Sequence, residues 1–381
     1  MTRIHWRLGA EIELLAPPGK SRLDLATAIA QTHDAEVERF FHPQSEPSLV
    51  PGTPIFHNLT LGYKIQHPHH GWIASCVDDL TLQSDLNREA SPQTGWYRII
   101  SDDERLLRLV QRQADARQPV ENVLEPIARL FGTTPSTGPG GMVRVDDLLE
   151  ASIAIAAPLP GERERPCELV TAPLEDQHQA QLEQLLGLAR SLGFTAPIEG
   201  ATHLHFDATR LQNAPAFANL VQLLWTHGDL LKGLVGTNSH CRRLGSWPNA
   251  LMETVTRSSF RSLQWSEARA ELQALKLSKF CDFNLANCIH GHPTKNTVEI
   301  RILPVHLESG PLLVVAALFA AILERSTEKP LPFSAAPSYD LEALLENLPL
   351  SQAQRSYWRA LRAPPPRAPT LPARAHSSVT T

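Results

Sequence analysis

Alternation of apolar and polar residues predicts a β-strand at the start of the chain. Over residues 4–15 every second residue is apolar, and the residues between them include Glu11 and Glu13. Because side chains on a strand alternate between its two faces, this segment has one dry face and one wet face. Pro17-Pro18-Gly19 ends the strand, and apolar residues at helical spacing after the candidate cap Ser21 predict a helix.

Two later segments repeat the pairing of polar residues on one strand face. His203-Leu204-His205 and Glu299-Ile300-Arg301 each place two polar side chains at positions i and i+2. Such side chains point the same way, about 7 Å apart along the strand, with an apolar residue facing the other side. Gathered on one sheet face, the three pairs would form a cation and phosphate site.

Two stretches break the strand and helix pattern and are predicted as insertions. Residues 33–70 contain prolines at 43, 47, 51, 54 and 68 and histidines at 67, 69 and 70, which predict a long irregular surface loop. Residues 100–141 are predicted to add two helices. Ser101 and Glu104 have the spacing of a capping box for the first helix, and the second covers residues 120–131.

The later part of the chain returns to strands and helices. Glu168 is predicted to lie at a strand-to-helix junction, a position where functional side chains are often placed. Residues 142–157 fit a strand and a short helix equally well. We predict strands at 72–82, 203–207 and 297–303, a turn at 292–294, and helices with apolar positions at 182–188 and over 216–234, 266–277 and 310–324.

Composition and charge narrow the class of protein. The 381 residues are 42% hydrophobic, and a net charge of −5 gives no reason to expect a nucleic-acid or membrane partner. Five cysteines without a CxxC pair suit reduced thiols in a cytosol. The start of the chain has no secretory signal, and the apolar stretch 311–323 is too short to span a bilayer. We expect a cytoplasmic protein with small-molecule or peptide substrates, and we allow for a homo-oligomer.

The carboxylates among the paired residues suggest a magnesium site. Magnesium prefers oxygen ligands and is commonly held by one or two carboxylates together with nucleotide phosphates. Glu11, Glu13, Glu168 and Glu299 could supply such ligands from separate strands. Each pair taken alone also fits a solvated strand face or a local ion pair.

The histidine pair has a competing interpretation as part of a zinc site. Imidazole suits zinc, and Asp207 follows His203 and His205 on the same strand face as a candidate third ligand. A zinc hydrolase is therefore one alternative, and two structural histidines are another.

The arginine of the third pair suggests contact with phosphate. A planar guanidinium beside a metal-binding carboxylate can bind the oxygens of a phosphate during its transfer. Arg301 is the candidate for this contact, with Lys295 and Arg243 as further candidates for phosphate or carboxylate. The sequence has no Gly-rich phosphate loop, so metal and strand side chains would have to hold a nucleotide.

These residues, in this order, resemble the amidoligase family within the superfamily of glutamine synthetase and glutamate–cysteine ligase. The resemblance spans about residues 6–305 and rests on the ordered set of motifs. The matching motifs are Gly9-Ala10-Glu11-Ile12-Glu13, Asp79-Leu80-Thr81, Glu168-Leu169-Val170-Thr171-Ala172-Pro173-Leu174, His203-Leu204-His205, Arg243, Asn284-Leu285 and Thr297-Val298-Glu299-Ile300-Arg301.

The resemblance implies an α+β fold and a nucleotide site. The fold would be a curved, mainly antiparallel sheet like the half-barrel of the glutamine synthetase catalytic domain, with helices on its outer face. The concave side would hold ATP and two or three Mg²⁺ ions, with Mn²⁺ as a substitute. The metal ligands would be Glu11, Glu13, Glu168, His205 and Glu299. Nucleotide or phosphate contacts would come from His203, His205, Lys295 and Arg301, and catalytic roles from Arg301, Glu299 and Arg243.

The reaction that the resemblance implies joins a carboxylate to an amine. The carboxylate of an amino acid, peptide or related metabolite would be phosphorylated to an acyl phosphate, and amine attack would form the amide. Alternatives are a kinase-like enzyme that stops at phosphoryl transfer, the zinc hydrolase, and a non-catalytic nucleotide-binding scaffold on the same fold. We expect a catalytic domain over residues 1–335, a helical extension over 336–362 and a disordered Pro-, Ala- and Arg-rich tail over 363–381.

Overall fold

Strand β1, Leu8–Leu15, has the two-faced pattern that its sequence predicts. The computed structural model describes residues 4–47, 55–101, 103–291, 295–328 and 337–361. In it, Leu8, Ala10, Ile12 and Leu14 are at most 1% exposed. Burial of these four side chains on one face fixes the register of the strand, because a slip by one residue would turn them to the polar face.

Helix α1, Arg22–Thr32, follows the turn after β1, as predicted. Ser21 is its N-cap, and the carboxylate of Asp24 accepts hydrogen bonds from both the backbone N–H and the hydroxyl of Ser21, each at 2.8 Å. Leu25 and Ile29 are fully buried beneath the sheet. The helix therefore packs on the dry face and leaves the polar face of β1 uncovered by it.

The strands of the described residues form one large antiparallel sheet that is open at both edges. Its spatial order is β11-β12-β10-β1-β9-β4-β3-β5-β8-β7-β6, and β2 pairs with β3 outside this path. The four neighbours β12, β10, β1 and β9 carry the paired polar residues. The bounds are β2 Glu36–Pro47, β3 Ile55–His67, β4 Gly71–Val77, β5 Tyr97–Ser101, β6 Ser136–Thr137, β7 Val143–Asp146, β8 Ser152–Pro158, β9 Pro166–Thr171, β10 Ala201–Asp207, β11 Phe283–Asn284 and β12 Thr297–Pro304.

The main hydrophobic core lies between the dry face of the sheet and the helices. Leu25 of α1, Leu186, Phe217 and Phe319 of three later helices pack in one buried cluster with Ile12 of β1. The molecule is thus a mixed helix and strand structure with one covered and one polar sheet face. The later helices are α2 Glu104–Gln113, α3 Glu125–Leu130, α4 His178–Ser191, α5 Ala214–Val235, α6 Asn249–Thr256, α7 Ser258–Arg261, α8 Trp265–Ala274, α9 Ala286–His290, α10 Ser309–Ser326, α11 Leu341–Asn347 and α12 Gln352–Ala360.

The prediction of an irregular loop over residues 33–70 is wrong where the structure describes it. Strands β2 and β3 pair with each other along their whole length, and residues 48–54 lie outside the described part. Phe41 and Leu61 are buried with Tyr97 in a second core beneath α2 and α3. The prolines led to a wrong prediction because Pro43 lies on β2, which among the described residues pairs only with β3. Proline is tolerated on such an edge strand.

Two further predictions need correction, and the structure resolves one ambiguous stretch. The N-cap of α2 is Asp103, whose carboxylate accepts a hydrogen bond from the N–H of Arg105 at 2.7 Å, while Ser101 ends β5. The helix predicted over 120–131 is only α3, because turns occupy the residues before Glu125. The ambiguous stretch 142–157 forms the two strands β7 and β8.

The apolar helix predicted over 310–324 is α10. Among the described residues, it is the one helix with the length and hydropathy of a membrane span, and 67% of that window is buried inside the protein. It packs against α4 and α5, as a core helix does. The predicted turn at 292–294 and the predicted tail over 363–381 lie outside the described residues.

Candidate active site

Side chains from four neighbouring strands converge on the polar face of the sheet. Directly opposed residues of antiparallel strands share a face, so the strand register decides which side chains meet. We call the result the carboxylate–histidine cluster. It consists of three cross-strand pairs: Glu11 with His203, Glu13 with Glu168, and His205 with Glu299.

His203 lies between the carboxylates of this cluster. Its Nδ1 is 3.4 Å from Oε2 of Glu11 and 3.7 Å from Oε1 of Glu299, and its Nε2 is 3.6 Å from Oε1 of Glu13. Nε2 of His205 is 3.2 Å from the same Glu11 oxygen. Glu11 therefore bridges the two imidazoles, and its side chain is only 18% exposed.

Two groups of three side chains have ligand atoms close enough to hold a cation. Glu11, Glu168 and His203 form one group, and Glu11, His205 and Glu299 form the other; within each, the ligand atoms lie within 4.8 Å of one another. The two groups share Glu11. The predicted metal ligand Glu13 belongs to neither group, and one of its oxygens accepts a hydrogen bond from the N–H of Ala201 at 2.8 Å.

The histidines keep two carboxylates of the cluster ionised. Burial alone would raise the pKa of Glu11, but the charge and hydrogen bonds of His205 and His203 hold it well below its usual value. The pKa of Glu299 is likewise lowered against its burial by His205 and by Arg301. In return, Glu11 raises the pKa of His205 although burial opposes this.

The other two carboxylates hold their protons more tightly. Burial, followed by the charge of Asp79, raises the pKa of Glu13 well above its usual value. Burial, followed by the charges of Glu11, Asp79 and Glu13, does the same for Glu168. This excess of buried carboxylates is stabilised when a cation binds among them, because the cation offsets their mutual repulsion.

The structure adds two residues to the site that had no assigned role in the sequence. Asp79 lies beside Glu13, and its Oδ1 accepts hydrogen bonds from the N–H and hydroxyl of Thr81 at 2.8 and 2.7 Å. Nδ2 of Asn284 donates a hydrogen bond to Glu299 Oε2 at 2.7 Å. Both residues belong to motifs of the family resemblance, and membership of those motifs was the signal that could have singled them out.

The segment that carries Asp79 is anchored by buried side chains. The amide of Gln44 hydrogen-bonds the backbone on both sides of Asp79. The neighbouring Asp78 is fully buried between the guanidinium groups of Arg163 and Arg22. These contacts fix the place of Asp79 at the rim of the cluster.

Positive side chains line one side of the cluster. Arg301 forms a buried ion pair with Glu299, and its Nε has no hydrogen-bond partner within the described part of the chain. Arg243 is 4.0 Å from Asp79, and its guanidinium lies 5.3 Å from the ring centre of Phe280. Arg301 is thus next to the carboxylates, as its predicted role requires, and Arg243 lies at the rim.

Lys295 is exposed and lies close enough to the cluster for its positive charge to oppose the rise in the pKa of His205. Glu168 occupies a different position from the one that its sequence context suggests. Glu168 is in the middle of β9, not at a strand-to-helix junction, because α4 begins only at His178. Its mid-strand position is what sets it opposite Glu13.

Asp207 does not join the two histidines in a metal-binding group. Its Oδ1 accepts a hydrogen bond from the N–H of Thr209 at 2.8 Å, which caps the turn after β10. Neither of the two cation-binding groups among the described residues contains it. The geometry therefore does not support the proposed set of zinc ligands.

The cluster fits a divalent cation that prefers oxygen ligands. Each of the two groups offers two carboxylates and one imidazole, a set in which oxygen donors outnumber nitrogen donors. Nε2 of His203 is buried and has no hydrogen-bond partner among the described residues, whereas Nε2 of His205 lies 3.2 Å from the Glu11 oxygen. The His203 nitrogen is thus available to a ligand.

A large open antiparallel sheet with helices on one face and buried carboxylates and imidazoles on the other defines a mixed helix and strand protein with a candidate metal site. The sequence model of the family described as "putative amidoligase enzyme" matches residues 5–322. The chain belongs to this family, and the family name indicates an enzyme of the ligase type. A search of curated proteins finds no match.

Proposed function

We propose that the protein is an ATP- and magnesium-dependent ligase that joins a carboxylate to an amine through an acyl phosphate. The observation that supports this most strongly is the pair of cation-binding groups that share Glu11 beside the Glu299–Arg301 ion pair. Carboxylates for metal and a guanidinium for phosphate are the components that phosphoryl transfer needs. The proposed substrate is an amino acid, a peptide or a related metabolite.

The proposed residue roles follow the geometry of the cluster. Glu11, Glu168 and Glu299, with the two histidines, would hold two magnesium ions. Glu13 would lie beside these ligands. Bound magnesium and ATP supply charge neutralisation and the phosphoryl group. Arg301 would contact the oxygens of that group, because it pairs with Glu299 of the cluster and its Nε has no partner among the described residues.

The proposed reaction balances in two steps. An oxygen of the substrate carboxylate forms a bond to the terminal phosphorus as the bond to ADP breaks. The amine nitrogen then attacks the carbonyl carbon, phosphate leaves, and the nitrogen loses one proton. The protein contributes by orienting both partners and by keeping positive charge where the negative charge develops. We also propose that the open sheet is curved like the half-barrel of glutamine synthetase, with the cluster on its concave side, and that the protein acts in the cytoplasm.

The proposal is tested by incubating the purified protein with ATP, magnesium and pooled carboxylates and amines. ADP, phosphate and condensed masses should appear together. Glu11→Gln and Arg301→Ala should abolish this turnover and leave the far-UV circular dichroism spectrum unchanged. Asp207→Asn is the matched control, because it keeps the turn cap and should keep turnover; loss of turnover in this variant alone would favour the histidine–aspartate site. Phosphorylated carboxylates without amides would indicate a kinase.

A further inference from the structure

Phe40 is an aromatic residue on the polar face of the sheet and is not part of a described hydrophobic core. Its neighbour Phe41 points to the opposite face and is buried in the second core. Phe40 belongs to neither of the two core clusters and is only partly buried. A large apolar side chain on the face of the carboxylate–histidine cluster therefore needs an explanation other than core packing.

The ring of Phe40 lies over a glycine. Phe40 pairs with Gly62 across β2 and β3, and a Cβ atom built on Gly62 would be 3.0 Å from Cε1 of Phe40 and 3.0 Å from Cγ1 of Val77. Both distances are tighter than ordinary carbon–carbon contact. The missing side chain of Gly62 thus leaves room for the ring, which reaches over β3 towards Val77.

Phe40 and Gly62 lie in the same row across the sheet as carboxylates of the cluster. Val77 pairs with Glu168, which in turn pairs with Glu13, so a single row crosses the sheet from Phe40 to the cluster. Three strand steps separate Phe40 from Glu168, about 14 Å at about 4.8 Å per step. The ring leans along this row towards Val77, which shortens the gap. An extended nucleoside triphosphate can bridge such a span with its phosphates at the carboxylates.

The aromatic ring next to Phe40 is uncharged. The ring of His42 lies edge-on to Phe40, with 6.4 Å between ring centres. Burial, together with the charge of Lys295, lowers the pKa of His42 to about 4, so this ring is neutral near pH 7. A wall of two neutral rings and a valine suits a planar base better than a phosphate or a carboxylate.

We propose that Phe40, lying over Gly62, is the stacking platform for the base of the bound nucleotide. The proposal rests on the proposed function, because it takes the phosphates to lie at the carboxylate–histidine cluster. It gives the β2–β3 pair, which the sequence suggests is an insertion, a role in nucleotide binding. Phe40 would contribute to affinity for the nucleotide rather than to the chemical step.

Phe280 is the competing aromatic residue at this site. It is 39% exposed on the opposite rim, but Arg243 and Lys279 lie 5.3 and 5.2 Å from its ring centre. Two cations against this ring favour an anionic neighbour over a stacked base. Phe280 is therefore the discriminating variant in the test.

The test measures binding by isothermal titration calorimetry with magnesium and either ATP or tripolyphosphate, which lacks the base. Phe40→Ala should weaken Mg·ATP binding roughly 5- to 100-fold, the range that base–aromatic stacking gives, and should change tripolyphosphate binding less than twofold. Gly62→Ala should weaken ATP binding in the same selective way by displacing the ring. Phe40→Trp should restore binding. Glu38→Ala, on the same face of β2, is the matched control and should bind both ligands like the wild type.

Several outcomes would overturn the platform. One is equal weakening of ATP and tripolyphosphate in Phe40→Ala; another is selective loss of ATP in Phe280→Ala but not in Phe40→Ala. Wild-type affinity that is the same for both ligands would also exclude a base site. If the wild type binds tripolyphosphate but the platform variants leave ATP affinity unchanged, only the platform is wrong. If the wild type binds neither ligand, both the platform and the proposed function are wrong.

Discussion

Replacement of Arg22 by methionine should cost the protein a large part of its stability. Arg22 is the first residue of α1, yet it is fully buried. Its guanidinium donates hydrogen bonds to the carbonyl oxygens of Leu61, Arg163 and Pro166 at 2.9, 2.6 and 3.1 Å. It also lies 3.7 Å from Asp78, so it ties helix α1 to three other segments.

The expected loss is about 4 kcal/mol. Each buried carbonyl that loses its donor costs at least about 1 kcal/mol. Loss of the cation–π contact with Trp96, whose ring centre is 4.5 Å away, adds about 1 kcal/mol more. Asp78 keeps its ion pair with Arg163, so the total stays within the range of about 3–5 kcal/mol for breaking a buried ion pair.

The assay is urea unfolding followed by far-UV circular dichroism and tryptophan fluorescence. With an m-value of about 3 kcal/mol/M, the Arg22→Met variant should unfold at a urea concentration about 1.3 M lower than the wild type. Arg105→Met is the matched control, since Arg105 also lies in the first turn of a helix but is 88% exposed and, among the described residues, forms an ion pair only with Asp103. Its midpoint should stay close to that of the wild type.

An unchanged midpoint in Arg22→Met, with the same m-value, would refute the reasoning that the buried contacts of Arg22 stabilise the fold. Arg22→Lys keeps the charge but loses the forked donor geometry, so its midpoint should fall between those of the wild type and Arg22→Met. If Arg22→Met does not fold at all, Arg22→Lys carries the comparison, and a wild-type midpoint for that variant would contradict the account equally.

Two smaller perturbations test other parts of the fold. Asn213→Ala removes the N-cap of α5, whose side chain accepts a hydrogen bond from the N–H of Ala216 at 2.9 Å, and should lower the free energy of unfolding by about 1 kcal/mol. Hydrogen bonds from Ser309, together with Arg190, lower the pKa of Glu183 to about 2. Glu183→Gln should therefore be less stable than the wild type near pH 7. The difference should shrink as the pH falls from about 4.5 towards 2, because protonation of Glu183 then favours the unfolded wild-type chain; a difference that does not change with pH would contradict this.

The faces of the strands could be predicted from the sequence, but their pairing could not. Alternation identifies Glu11 and Glu13 as neighbours on a wet face because the period of a strand is two. Nothing in that pattern says that β10, which begins 186 positions after the end of β1, is its partner. The register that sets Glu11 opposite His203 arises from tertiary packing of the dry face.

The burial of Arg22 and the strands of residues 33–70 could not be predicted for related reasons. A charged residue at the start of a helix is ordinarily exposed, and Arg22 is buried only because the segment around Arg163 folds over it. Proline on β2 hides the strand pattern because a sequence does not show that β2 has an unpaired edge. The convergence of Glu168 on the site depends in the same way on the pairing of β1 with β9.

The most direct test of the central claim follows oxygen from the substrate to the product phosphate. Carboxylates labelled with ¹⁸O are incubated with the protein, ATP, magnesium and pooled amines, and the released phosphate is analysed by mass spectrometry. An acyl phosphate transfers one carboxylate oxygen to phosphate, so the account predicts one ¹⁸O atom per phosphate for each amide formed, and none with Glu11→Gln. Amide formation with unlabelled phosphate, or without consumption of ATP, would contradict it.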